Sequence, residues 1–221
     1  MELVNSSSFV RDAVNRIAAA SLAADGAPFR LSLCGGNTPR EIYEALAGED
    51  LDWRNFVITF GDERCVPPEH EQSNYRMARE SLLDRVPIPE ENILRLKGEI
   101  PAEEAADLYE QQLRARSGDE VFRHDLILLG MGEDGHTASL FPASRAIEES
   151  ERLVVANEVA ELAAWRLTFT YTLINAAKRV LFLVRGEVKR KIAESIVQDG
   201  EDYYPAAGVR PHDGSLVWLA G

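Results

Sequence analysis

Residues 125–142, DLILLGMGEDGHTASLFP, decide the fold. The apolar run 126–129 reads as a buried strand. It stops at Gly130 and Gly132, and two acids and His136 follow before the sequence turns helix-friendly. A strand, a tight turn and the start of a helix make an α/β unit, and in such folds ligands sit at the carboxyl ends of the strands. His136 therefore stands where chemistry is expected.

The flanking sequence repeats that grammar. Residues 8–24 place Phe9, Val10, Ala13, Val14, Ile17 and Leu22 at helical spacing, with Ser6 to Ser8 as N-cap candidates and Asp25-Gly26 as the stop. A strand is expected over 30–34, then Gly35-Gly36-Asn37-Thr38-Pro39 and a helix over 40–47. The next strand, 56–60, leads into Gly61-Asp62-Glu63-Arg64 and a polar loop reaching about Ser73. Helices are expected over 74–85 and 102–116, with a turn over 86–91. Beyond the central unit come strands over 152–156 and 167–170, a helix over 171–177, a strand over 180–184, a helix over 187–197 and a last strand over 216–219. Strands alternating with helices predict an α/β protein, a three-layer α/β/α arrangement with a mostly parallel sheet covered on both faces. No repeat, low-complexity tract or long linker interrupts residues 1–221, so a single domain is expected.

Composition narrows function. With 221 residues, 45% hydrophobic and 28% charged, the chain can bury a substantial core. A formal charge of −13 argues against general binding to nucleic acid or an anionic membrane. It leaves room for a small anion, which a few local cations and N–H groups can hold. No apolar stretch is long enough to span a bilayer and no basic n-region opens the chain, so a cytoplasmic address is expected. Cys34 and Cys65 supply no disulfide framework and no zinc spacing, and reduced, partly buried thiols are expected.

Four stretches can carry chemistry. In the first, Gly35, Gly36, Asn37 and Thr38 precede a helix that Thr38 can cap, with Glu41 completing a capping box. The bland reading is a well-capped helix; the functional one is a phosphate cradle of close backbone and helix N-terminus. Neither the Walker spacing nor GxGxxG is present, so nucleotide binding has no support. In the second, Asp62 suits orienting hydroxyls or water and Arg64 suits neutralising charge, while Glu63 alternates away from them as a structural residue; a surface ion pair is the plain alternative. In the third, His136 is either a satisfied polar residue beside a turn or a general base, since an imidazole with a pKa of about 6.5 is the natural base at neutral pH. Asp134 either holds its tautomer or shapes the turn. Ser139 is expected inside the following helix, with no GxSxG elbow to make it a nucleophile. His70, His124 and His212 show no metal-ligand spacing with His136, so no metal is expected. In the fourth, Arg166 precedes an alternating strand and Lys189 lies in a helix's first turn, where the dipole disfavours a cation unless an anion is bound.

Together these stretches resemble the 6-phosphogluconolactonase family. CGGNTP is similar to its glycine-rich phosphate loop, FGDERCVPPEHEQSNYRM to its Asp-Glu-Arg segment and LLGMGEDGHTASLFP to its histidine signature. RLTFTYTLINAAKRVLFLVRGEVKRKI resembles its Arg/Lys segment, and YPAAGVRP with GSLVW its tail, so the likeness runs from about Leu31 to Trp218. The resemblance implies a modified Rossmann-like fold of the kind shared by glucosamine-6-phosphate deaminases, ribose-5-phosphate isomerases and CoA transferases. It implies hydrolysis of 6-phospho-D-glucono-1,5-lactone in the oxidative pentose phosphate branch, without cofactor or covalent intermediate, by a monomer or weak homo-oligomer. By that likeness His136 activates water, Asp62 and Arg64 line the sugar and carbonyl end, and Gly36, Asn37, Thr38, Arg166 and Lys189 hold the phosphate. Three places depart from the family's pattern. Asn37 stands where Ser is common, Cys65 where Trp is common, and VAELAAW over 159–165 replaces a proline-rich stretch before Arg166. A hexosamine-6-phosphate deaminase or isomerase is the nearest alternative, but those enzymes typically show Asp-Glu-Tyr where this chain has Asp62-Glu63-Arg64. A non-catalytic sugar-phosphate sensor would be free to lose the base, and His136 is present.

Overall fold

A computed structural model describes residues 1–117, 121–159 and 163–221. The central sheet has six parallel strands: β1 (Glu2–Asn5), β2 (Phe29–Leu33), β3 (Phe56–Phe60), β5 (Leu126–Leu129), β8 (Arg179–Val184) and β9 (Ser215–Ala220), in the order β1-β9-β8-β5-β2-β3. A small antiparallel sheet joins β4 (Asp62–Arg64), β7 (Ala164–Phe169) and β6 (Val154–Val159). The helices are α1 (Phe9–Leu22), α2 (Asn37–Leu46), α3 (Asn74–Ser81), α4 (Ala102–Ser117), α5 (Tyr171–Ile174) and α6 (Glu187–Glu194). Every residue of β3 and β5 is buried, as strands covered on both faces must be. Burial of each large apolar side chain of β5 contributes about 1.5–3 kcal/mol. The α/β class and the mostly parallel central sheet agree with the sequence.

Several elements differ from the expectation. Residues 62–64, read as part of a loop, form a strand of the second sheet. Gly61 is the pivot: its N–H donates to Leu33 O at 3.0 Å in the main sheet, and its carbonyl accepts Phe169 N at 2.8 Å in the small one. The strand expected over 152–156 begins two residues later and runs to Val159, and the one over 167–170 begins at Ala164; the two form an antiparallel hairpin. The helix expected directly after His136 does not form, and residues 137–144 hold turns and an isolated bridge. Thr137 Oγ1 bonds back to Gly130 O at 2.8 Å, Thr137 pairs with Leu140, and Ala138 (φ 47°) and Ala143 (φ 59°) are left-handed. The helix from Asn74 stops at Ser81, whose hydroxyl bonds to Met77 O four residues back at 2.7 Å, a contact that bends helices, and a 3-10 turn over Leu83–Arg85 follows. The helix at Tyr171 is a single turn, and α6 widens into a π turn over Ser195–Asp199 before left-handed Gly200. The edge strand β1, short and half-exposed, has no sequence signal strong enough to have been expected. No described helix is long and apolar enough to cross a membrane.

Beneath the junction of the two sheets lies His124, fully buried. Its Nε2 is 2.8 Å from Thr59 Oγ1, its Nδ1 has no partner, and Phe122 and Phe169 pack around the ring. Burial, helped by nearby Arg30, pushes the imidazole pKa down to about 3. The folded chain thus refuses a proton that the unfolded chain accepts below about pH 6.5. Stability should fall as pH drops from about 6.5 towards 3, by about 1.4 kcal/mol per pH unit from this residue. Urea unfolding of wild type and His124→Gln across that range checks this: the extra slope should vanish in the variant, and equal slopes would refute it.

Candidate active site

Loops from the carboxyl ends of β2, β3, β5 and β8 converge on a cleft of about 850 Å³. All ten residues singled out in the sequence line it: Gly35, Gly36, Asn37, Thr38, Asp62 and Arg64, then Asp134, His136, Arg166 and Lys189.

After β2, Gly36 turns the chain at φ 113°, a conformation costly for any other residue, and α2 starts at Asn37. The expected capping box is not formed. No side chain caps α2, and Glu41 instead pairs with Arg185 at 2.7 Å. The first N–H groups of α2 consequently lie uncapped by side chains at the cleft, at the positive end of the helix dipole. Gly35 has no room for a side chain, since a Cβ there would sit 1.8 Å from Asn74 Oδ1. Cys34, beside it, is buried, and burial pushes its thiol up to about 12.

After β3, strand alternation sends Asp62 and Arg64 to the cleft and Glu63 the other way. Glu63, 3% exposed, accepts Arg64 N, Asn74 N, Tyr75 N and Ser73 Oγ at 2.7–3.0 Å. It therefore anchors the start of α3, the structural role read from its alternation. Arg64 donates to Gln72 O at 2.6 Å, and its cross-strand partner in β7 is Arg166. Burial, and then Arg64, pull the Arg166 guanidinium below its usual range. Two half-buried cations face each other there. Residues 160–162 of the unusual 159–165 segment lie outside the described residues.

After β5, a closed turn presents His136. Gly132 N donates to His136 O at 2.9 Å, Gly135 adopts φ 76°, and Ala206 N bonds to Gly135 O at 2.9 Å. His136 Nδ1 lies 2.6 Å from Asp134 Oδ1, and the same oxygen accepts His136 N at 3.1 Å. A carboxylate only accepts, so the neutral ring carries its proton on Nδ1 and leaves Nε2 with a free lone pair. Phe141 stacks on the ring at 4.2 Å. Ser139, expected in a helix, is instead a buried loop residue whose hydroxyl donates to Asp62 Oδ2 at 2.7 Å. After β8, Gly186 (φ 105°) opens α6 without a side-chain cap, and Lys189 in its first turn has no acidic partner among the described residues.

Sequence reasoning missed Arg185 and Asn74, which also line the cleft. Arg185 had a signal, a cation immediately after a strand and before a glycine-opened helix. Asn74 had none, because its place depends on the clamp from Glu63. No group of three or more His, Cys, Asp or Glu side chains among the described residues is placed to hold a metal ion.

The family model described as glucosamine-6-phosphate isomerases/6-phosphogluconolactonase matches residues 5–218. A 6-phosphogluconolactonase from Nostoc is 43% identical over 199 residues, covering 86% of this chain and 81% of its own length. One from Homo sapiens is 39% identical over 210 residues, covering 91% and 81%. The crystal structure of 6-phosphogluconolactonase from Thermotoga maritima superposes with a TM-score of 0.88 at 30% identity, covering 100% of this chain and 99% of that one.

The turn makes its own test possible. A Cβ on Gly132 would lie 2.2 Å from His136 Nδ1 and 2.4 Å from Asp134 Oδ1. Nitrogen NMR should find the Nδ1–H tautomer of His136 in wild type and lose it in Gly132→Ala, with circular dichroism unchanged. An unaltered tautomer in the variant would show that Asp134 does not hold the ring.

Proposed function

The chain belongs to the glucosamine-6-phosphate isomerase/6-phosphogluconolactonase family and is an enzyme of its 6-phosphogluconolactonase branch; from that premise we propose that it hydrolyses 6-phospho-D-glucono-1,5-lactone with His136 as general base and no covalent intermediate. The observation that carries this reading is His136 itself, its Nδ1 engaged by Asp134 at 2.6 Å and its ring at a cleft lined by four cations, Arg64, Arg166, Arg185 and Lys189. A base with one nitrogen committed has the other free for water, and a dianionic phosphate needs cations and N–H donors.

Water attacks the lactone carbonyl while Nε2 of His136 takes its proton. A bond forms between C1 and the water oxygen, and the carbonyl oxygen becomes an oxyanion, stabilised by Arg64. The intermediate collapses by breaking the bond between C1 and the ring oxygen, and His136 returns the proton to that oxygen, which leaves as a hydroxyl. Asp134 stabilises the imidazolium in between. Asp62 orients the sugar, and the uncapped start of α2 (Gly36, Asn37 and Thr38), with Arg166 and Lys189, holds the phosphate. Ser139 is no rival nucleophile, because it is buried, its hydroxyl is held by Asp62 and no histidine bonds to it among the described residues. The shared core of the described residues supports reading 1–221 as one domain, and the two free thiols suit a cytoplasmic address.

Initial rates above the spontaneous background test the activity, with glucosamine 6-phosphate run in parallel; turnover of the amino sugar but not the lactone would favour the deaminase. His136→Ala should lower kcat by roughly 10²–10⁴-fold with binding largely kept, the span usual for a lost general base. Near-wild-type turnover would remove His136 from the reaction. Lys189→Ala should raise KM for the phosphorylated lactone and leave unphosphorylated gluconolactone little changed; equal losses on both would show that Lys189 does not bind phosphate.

A further inference from the structure

We propose that Ser139 and Asn74 are positioning residues for Asp62, which they hold as a fixed acceptor for a substrate hydroxyl. The inference deepens the hydrolase reading and rests on it. Asp62 is 8% exposed and has no ion-pair partner among the described residues. Neutral donors satisfy its carboxylate instead: Ser139 Oγ at 2.7 Å from Oδ2 and Asn74 Nδ2 at 3.1 Å from Oδ1. A buried carboxylate without such donors would be strongly disfavoured.

Both donors are themselves held. Asn74 Nδ2 also reaches Asp62 O at 3.0 Å, the Asn74 N–H is bound by Glu63 at 2.8 Å, and the side chain rests against Gly35. Ser139 N donates to Thr168 Oγ1 at 3.1 Å, and Ser139 O accepts Asn157 Nδ2 at 2.8 Å. One donor arrives from α3 and the other from the loop that carries His136, three residues earlier. The Ser139–Asp62 hydrogen bond therefore ties the loop of the base to the Asp62–Arg64 strand. Two lone-pair positions of the carboxylate are occupied, and Asp62 lines the cleft with acceptor capacity to spare.

A double-mutant cycle on the full chain separates action through Asp62 from general structural support. It uses Ser139→Ala, Asp62→Ala and their combination, and is repeated with Asn74→Ala, which removes the donor without adding a charge. The readouts are kcat/KM on the lactone and the Kd of 6-phosphogluconate by calorimetry, with inorganic phosphate as control and thermal melts to confirm folding. Ser139→Ala should weaken lactone turnover and 6-phosphogluconate binding by roughly 10- to 100-fold, the scale of one hydrogen bond to a charge. It should add less than about 2-fold once Asp62 is alanine, and phosphate affinity should not move. Equal losses in both backgrounds, or none in either, overturn the inference. Coupling seen in 6-phosphogluconate binding by a wild type that does not turn over the lactone would uphold the positioning role and sink the hydrolase reading. Turnover without coupling would do the reverse.

Discussion

The buried carboxylate of Glu63 is the constraint on which the site depends. Removing a carboxylate from water costs several kcal/mol unless its lone pairs are filled. Here they take three backbone N–H groups and a serine hydroxyl. Burial pushes the Glu63 carboxyl above its usual range, and the donors pull it partly back. The same contacts supply partners for N–H groups at the start of α3, which would otherwise be orphaned. Because β4 alternates, fixing Glu63 on one face fixes Asp62 and Arg64 on the other. Because Glu63 holds Asn74, the clamp also delivers an amide to Asp62 and a packing surface to Gly35. One non-catalytic carboxylate thus aligns the second sheet, α3 and the glycine loop.

The electrostatics of the cleft run against those of the chain. A net charge of −13 surrounds a site where Arg64 and Arg166 face each other across β4 and β7. Like charges directly opposite one another are destabilising, and burial strengthens the effect. Lys189 near the positive end of α6 is disfavoured for the same reason. These local costs share one remedy, an anion in the cleft, and the uncapped start of α2 offers it N–H donors. Those donors are uncapped because α2 starts at Asn37 with Gly36 as its N-cap, which leaves Glu41 too far along to close a capping box and free to pair with Arg185.

The parallel core was legible because periodicity reports burial directly. Leu126–Leu129 is a continuous apolar run and Phe56–Phe60 is apolar but for Thr59, and the structure places strands over those same residues. What was not legible depended on distant partners. Three polar residues at 62–64 carry no strand signal of their own; they become β4 because β7 supplies the ladder and Gly61 the pivot. The stretch after His136 has helix-friendly composition, but Thr137 bonds to Gly130 and Ser139 to Asp62, and a helix could make neither contact. At the site, residue types at strand ends were enough to find ten residues that line one cleft. Asn74 escaped because an asparagine at the start of a helix looks like a cap, and only the fold shows it turned inward.

Asp134 was readable either as a turn-former or as the partner of His136, and the geometry gives it both contacts. One oxygen, Oδ1, accepts both the His136 backbone N–H and the ring Nδ1. The first contact is the Asx-type bond that closes the turn, and the second selects the tautomer. Gly132 must lack a side chain because a Cβ there would occupy the space between ring and carboxylate. Gly135 must be left-handed to bring His136 back within reach, and Tyr204 packs where its side chain would have been. The shape of the turn and the orientation of the ring therefore rest on the same oxygen. A substitution that opens the turn would also release the ring, because one hydrogen-bonded oxygen of Asp134 serves both contacts.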